Sequence, residues 1–278
     1  MKLTTAGLCC LFALLAAGSA MAAGPTGEPA VGAAGAVKLA ADPALAVENP
    51  LARVVNLQLN GNVNFDKGAA ERTQAVGLFG ATIPVDLPRR WNLFLNASLP
   101  VMDQPVGVAD RVQGLGDTTL NLFFSPPSSP HWVFAAGSSI VLPTATDATL
   151  GQGKWDAGPA MALVHTERTW VAGAAVSQSW SITGANDRLG VSRLLISPFV
   201  TWRLDKSWYL FTAPTLSADW NTTTNRAWTV PLGGGVGHVI RRGKHAVNFA
   251  VQAYANVVRP NGAPSWQLRL TTGWVFPK

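Results

Sequence analysis

The residues whose types could carry bond chemistry are few: His131, His165, His238 and His245, the loop carboxylates Asp66, Asp103, Asp110 and Asp147, and the glycine run Gly233-Gly234-Gly235-Val236-Gly237. A hydrolase acting at a lipid interface needs a serine within reach of a histidine that a third group orients. None of the four histidines has a serine at the close spacing such an enzyme uses, and His131 and His245 flank short turns. Interfacial lipid hydrolysis is therefore a distant third reading, and the chain reads as a non-enzyme. Scattered histidines without a neighbouring cysteine give no metal-ligand spacing, so neither metal nor cofactor is expected. The loop carboxylates could take calcium or bridge lipopolysaccharide phosphates through divalent ions, although charged loop residues are ordinarily only solvated. The glycine run lacks the lysine and helix of a phosphate loop, and close packing of a neighbour against bare backbone suits it better.

What the chain has in quantity is neutral polarity at every second position. Asn56, Gln58, Asn60, Asn62 and Asn64 alternate with Val55, Leu57, Leu59, Val63 and Phe65. Successive strand side chains point to opposite faces, so this segment has an amide face and an apolar face. The pattern recurs with Asn92 and Asn96, with Asp117 and Asn121, with Arg193 and Arg203, with Asn248, Gln252, Tyr254 and Asn256, and with Gln267 and Arg269. With Asp156 these are the candidate pore-lining residues. A strongly ion-selective pore would show rings of one sign, and this face mixes signs among neutral groups.

The elements that must hold this face are strands of membrane length. The chain has 278 residues, 48% apolar and 13% charged, with a mean hydropathy of +0.19. After the first two dozen residues no apolar run approaches the ~18 residues of a spanning helix. Abundant apolar residues that are never consecutive for long point to an all-β, antiparallel, up-and-down transmembrane barrel. Twelve strands can be placed, near 54–65, 73–85, 91–101, 115–125, 132–142, 155–165, 170–180, 192–204, 208–218, 228–240, 246–258 and 266–276. Short connections alternate with longer ones, as in bacterial outer-membrane barrels with short periplasmic turns and longer external loops. Trp91, Trp132, Trp170 and Trp208 follow short turns, whereas Trp155, Trp228 and Trp266 open strands after long loops; with Trp274 they form the expected interface girdles. Pro159, Pro198, Pro214 and Pro231 fall inside these strands, where each removes a ladder donor.

Lys2, the apolar run from Leu8 to Ala17 and Ala20-Met21-Ala22 read as a secretory signal peptide over residues 1–22. Both cysteines, Cys9 and Cys10, lie within it, so no disulfide framework is expected. Residues 23–50, rich in Ala, Gly and Pro, read as a flexible periplasmic extension, with a short helix or plug near Val37 to Val47 as the alternative. Residues 51–278 form the barrel. The net charge of +6 is spread without a long basic run, which argues against a nucleic-acid partner.

One loop stands apart. Pro143 to Lys154 mixes Thr144, alanines and glycines with single charges at Asp147 and Lys154. Gly151 and Gly153 permit a tight inward bend, which would narrow the pore and bring Lys154 towards Asp117 and Asp156. An ordinary surface loop is the competing reading.

The blocks Asn49-Pro50-Leu51, Gly114-Leu115-Gly116-Asp117, Leu142-Pro143-Thr144-Ala145-Thr146-Asp147, Leu150-Gly151-Gln152-Gly153-Lys154-Trp155-Asp156-Ala157-Gly158-Pro159, Trp228-Thr229-Val230-Pro231-Leu232-Gly233-Gly234-Gly235 and Phe276-Pro277-Lys278 resemble outer-membrane channel proteins of the phenol meta-pathway type. Many members of that family carry the misleading label neuromedin U. The resemblance implies an outer-membrane barrel passing small hydrophobic or aromatic molecules, and it supplies no functional residue set. The expected function is thus an outer-membrane channel for small, weakly charged solutes, and a closed structural or interaction barrel is the alternative. Outer-membrane lipid, lipopolysaccharide, a small-molecule solute and the barrel-assembly machinery are the expected partners, after export through the periplasm.

Overall fold

The computed structural model describes residues 42–107, 109–129, 131–221, 227–243 and 245–277. The expected signal peptide and the extension up to residue 41 lie outside them. The strands are β1 (Val54–Lys67), β2 (Arg72–Asp86), β3 (Asn92–Val106), β4 (Asp110–Leu115), β5 (Thr118–Ser125), β6 (Trp132–Leu142) and β7 (Lys154–Thr166). They continue as β8 (Trp170–Gly184), β9 (Ser192–Arg203), β10 (Trp208–Thr212), β11 (Leu216–Asp219), β12 (Trp228–Arg242), β13 (His245–Val258) and β14 (Trp266–Pro277). Each pairs antiparallel with its neighbours, and β1 pairs with β14, which closes the ring. β4 and β5 both pair with β3, one above the other, and β10 and β11 likewise share β9 and β12. Each of these pairs is one interrupted wall strand, so the barrel has twelve.

The alternation read from the sequence sorts the two faces. Asn56, Gln58 and Asn60 are buried inside the ring, while Leu57 is 41% exposed on the outside. On β13, Asn248, Ala250, Gln252 and Tyr254 point in and Phe249 and Val251 point out. Val251→Arg, in the middle of β13, should impair membrane assembly by about 2–4 kcal/mol, the cost of a cation on the lipid face. Ser177→Arg, on the inward face of β8, should assemble normally; the change in gel mobility on boiling reads out both. Equal assembly of the two variants would refute this face assignment.

The interruptions have local causes. Pro214 separates β10 from β11, and the backbone it frees at Ala213 is satisfied from within the barrel. The Ala213 N–H donates to Tyr254 Oη (2.8 Å), and Arg269 Nη1 donates to the Ala213 carbonyl (3.2 Å). Pro231 sits at a register shift between β12 and β13, and Pro198 stays within the β8–β9 ladder opposite Ala174. At Pro159 the ladder to β8 lapses between Ala157 and Ala160 while that to β6 continues. The connection expected as a loop from Met102 to Gly114 is largely a hairpin, since β3 runs on to Val106 and pairs with β4.

The largest departure is at the N-terminal side. Residues 42–50, read as flexible extension, lie inside the barrel. Asp42 caps a single helical turn, α1 (Pro43–Ala46), accepting from the Ala44 N–H at 3.0 Å, with proline at the first helical position. Ala44, Leu45, Ala46, Val47, Glu48, Asn49, Leu51 and Ala52 are all buried. The helix lies within the alternative span of Val37 to Val47.

Candidate functional site

The site is the bore itself, and three tiers of side chains build it. At the end carrying the short turns, α1 packs against Val164, Val171, Phe199, Tyr209 and Val239 on the inner wall. Leu51 packs against Phe94, Phe123, Ala135, Ala160 and Ala162 on the wall opposite. Asn56 and Gln58 both donate their amides to the Val47 carbonyl, at 3.1 and 2.7 Å. Two of the expected pore-lining amides therefore hold the inserted segment. Asp42 receives Arg203 and Arg241, the latter at 2.9 Å, from β9 and β12. On the same rim Arg53, just before β1, meets Asp86 at the end of the adjacent β2 at 2.8 Å.

Above this tier one side of the bore is filled. Arg269 donates to Asn62 Oδ1 (2.9 Å) and lies over the Tyr254 ring (5.2 Å to its centre). Tyr254 Oη donates to Gln252 (2.6 Å), and Asn60 donates to Gln58 (3.2 Å). Tyr209 lies flat on the backbone of Gly237, where a Cβ would stand 2.1 Å from its ring, and donates to Asn248 at 2.6 Å. The glycine run thus works as bare backbone for a neighbouring side chain.

The other side stays open as a chamber of about 160 Å³. Ser98, Thr119, Asn121, Ser139, Ser177, Ser197 and Thr215 line it with neutral polar groups, and Leu78, Leu195 and Phe123 with apolar surface. Among the described residues no charged side chain borders it. Thr215 Oγ1 is buried there without a hydrogen-bond partner among the described residues. Phe123 belongs both to this chamber and to the cluster around Leu51, so the inserted segment underlies its floor.

The loop end forms the third tier. Asp117, at the interruption between β4 and β5, accepts from the Ala145 N–H (3.2 Å) and the Gln152 N–H (2.6 Å). Thr144 accepts from the Thr118 N–H (2.9 Å) and donates to the Gly116 carbonyl (2.9 Å). Thr146 and Leu115 bond through backbone and side chain. Gly151 fits only without a Cβ, which would stand 2.5 Å from Asp117 Oδ1. Asp147 accepts from the Thr149 N–H and hydroxyl, which hold its carboxyl below the usual range. Gln104 on β3 donates to the Thr149 carbonyl (3.2 Å), and Arg188 donates to the Ala148 carbonyl (2.6 Å). The segment from Pro143 to Gly153 is therefore folded back onto the barrel rim. Lys154 makes no ion pair among the described residues; backbone amides occupy the Asp117 carboxylate, whereas Asp156 feels Lys154 as a nearby positive charge. Gly153 adopts φ +66° and opens the return into β7.

The remaining expected residues scatter along the wall. Asn92 and Asn96 point inward on β3 beside the Phe94 tier, and Asn96 accepts from Thr82 at 2.7 Å. Asp156 is buried on β7, Arg193 approaches Asp219 at 3.9 Å, and Asn256 donates to the Pro264 carbonyl (2.8 Å). Gln267 sits opposite Tyr254 and Asn64 in the ladder. The histidines gather away from the bore: His165 lies 3.1 Å from Glu167 between Trp132 and Trp170, His131 is 3.4 Å from the same carboxylate, and His238 faces Trp208. Among the described residues no group of His, Cys, Asp and Glu could hold a metal.

None of the eleven tryptophans is buried in the bore. Trp91, Trp132, Trp170, Trp208 and Trp274 stand at the turn end, where Trp202 pairs with Trp170. Trp155, Trp228 and Trp266 stand at the loop end with Trp180 and Trp220; Trp266 stacks on Phe65 at 3.9 Å, and Trp228 meets Trp220 edge-on. Trp180, Trp202 and Trp220 stand with the girdles although the sequence reading did not name them there. Asp42, Glu48 and Leu51 escaped it too, although Asp42-Pro43 is a readable helix start.

No protein-family profile matches the chain, and no curated protein sequence matches it. Among solved structures it is similar to the COG4313 outer membrane channel from Pseudomonas putida F1, with a TM-score of 0.59 at 15% identity over 80% of this chain and 95% of that one. It is also similar to the NanC porin, with a TM-score of 0.52 at 9% identity over 80% of this chain and 98% of the porin. Outer membrane phospholipase A from Escherichia coli superposes with a TM-score of 0.44 at 13% identity. The chain has the closed twelve-stranded fold of outer-membrane channels and porins.

Proposed function

We propose that the chain is an outer-membrane channel, not an enzyme, that admits small, weakly charged solutes, with its short turns facing the periplasm. The uncharged chamber between Leu78 and Thr215 carries this reading. An ion entering it would lose hydration and find no opposite charge, whereas a neutral solute finds hydroxyls, an amide and apolar wall. Its volume of about 160 Å³ is close to the ~150 Å³ of an engineered cavity that holds benzene. Small aromatic molecules, which the sequence resemblance implies, fit that size and that mixed lining. In this reading the outer wall meets lipid, the external loops meet lipopolysaccharide, and the barrel-assembly machinery inserts the chain after export. In proteoliposome swelling, neutral solutes of phenol size should enter about tenfold faster than anions or cations of equal size, corresponding to ~1.4 kcal/mol. Equal rates for all three, or preference for one ion, would refute the neutral-solute reading.

A second reading has its own observation. The inserted segment fills the turn end of the bore, as a closed structural barrel would require. Single-channel recording separates the two, since a permanently closed barrel gives no conductance steps.

A further inference from the structure

The segment from Asp42 to Ala52 closes the bore, but its attachment differs from that of a structural core. Among the described residues it joins no strand ladder, and its backbone hydrogen bonds to the wall run from Asn56 and Gln58 to the Val47 carbonyl. The side chains it offers the inner wall around α1 are apolar and buried, Ala44, Leu45, Ala46 and Val47, and Leu51 packs against the wall opposite. It also buries the Glu48 carboxylate, which has no hydrogen bond among the described residues and feels only the guanidinium of Arg269 as an opposite charge. That burial works against the seated state.

Both ends of the segment are fixed at the rim instead. At one end the Asp42 carboxylate sits between Arg203 of β9 and Arg241 of β12, and it also caps α1. At the other end Arg53 is tied to Asp86, immediately before the chain enters β1. The second attachment is covalently continuous with the wall; among the described residues the first is made by side chains. Losing the first leaves a strap hinged at Arg53.

We propose that residues 42–52 are a displaceable stopper of the channel, latched at the end remote from β1 by the Asp42 carboxylate between Arg203 and Arg241. This rests on the channel reading above and names its regulation: the latch sets the fraction of time for which the floor beneath Phe123 is withdrawn. Asp42 serves the helix cap and the clamp together, so its loss loosens the turn and the anchor in one step.

The test separates stopper from channel. Val47→Cys, nearly volume-conserving at a buried position, is introduced into the full-length protein, and its modification by a membrane-impermeant maleimide is followed by mass spectrometry. Labelling should be slow in that background and at least tenfold faster once Asp42→Asn is added. Arg241→Gln, which leaves Arg203 in place, should give an intermediate rate, so the series does not depend on a single variant. Single-channel open probability should rise in the same order. Faster labelling without any conductance would keep the stopper and overturn the channel. Unchanged labelling in variants that assemble and show the gel shift on boiling would overturn the stopper.

Discussion

Asp117→Ala should free the loop from Pro143 to Gly153 while leaving the barrel assembled. The carboxylate is the shared acceptor for the Ala145 and Gln152 amides, at 3.2 and 2.6 Å. Hydrogen bonds to a charged partner contribute about 1.5–3 kcal/mol each, so losing both should raise the population of the undocked loop tenfold or more. The wall itself does not depend on this contact, because β5 keeps its ladders to β3 and β6. Hydrogen exchange at Ala145 and Gln152 should accelerate accordingly. Asp117→Asn retains one acceptor oxygen and should lie between the parent and the alanine variant. If the docked loop narrows the external mouth, conductance should rise with the loss of protection, as it should on deleting Ala145 to Gly151. Accelerated exchange with unchanged conductance would place the loop beside the pore rather than over it.

The wall was legible in the sequence because a strand face has a strict period of two, and one misplaced side chain in lipid is costly. Asn56 to Asn62 and Asn248 to Asn256 fall inside the ring as their alternation predicts. The same parity put Phe94 and Phe123 on the inward face, among amides where no reason for them was apparent. Leu51 is the reason, and it comes from a segment whose composition resembles a linker. Filling a bore needs small side chains and no periodicity, which is also what a flexible extension looks like. The strand interruptions were half legible. Pro214 announced a missing donor, but nothing local announces that Tyr254 and Arg269, far along the chain, take up the freed backbone. The rim loop reads the other way. The blocks Gly114 to Asp117 and Leu142 to Gly153, separate in sequence, form one docked unit, so their joint presence is explained by a contact that neither block shows alone.

Glu48→Gln should stabilise the seated segment, and Arg269→Met should destabilise it. A carboxylate taken from water into the bore loses its hydration, and the buried Glu48 has no hydrogen bond among the described residues to replace it. Arg269 has partners of its own in Asn62, the Ala213 carbonyl and the Tyr254 ring, so it does not depend on Glu48 for satisfaction. Replacing the carboxylate by a neutral amide of the same shape should therefore gain on the order of 1 kcal/mol or more, by analogy with buried ion pairs, whose exchange for well-packed apolar residues gains up to about 4 kcal/mol. The reverse change leaves Glu48 without its one attractive charge and strips two hydrogen bonds from the barrel interior, at a cost of about 3–5 kcal/mol. The two variants should move labelling at Val47→Cys in opposite directions, slower for Glu48→Gln and faster for Arg269→Met, with thermal unfolding shifted in the matching sense. Destabilisation by Glu48→Gln comparable to that of Arg269→Met would mean that the two charges act as one tight pair, and that the carboxylate anchors the segment instead of straining it.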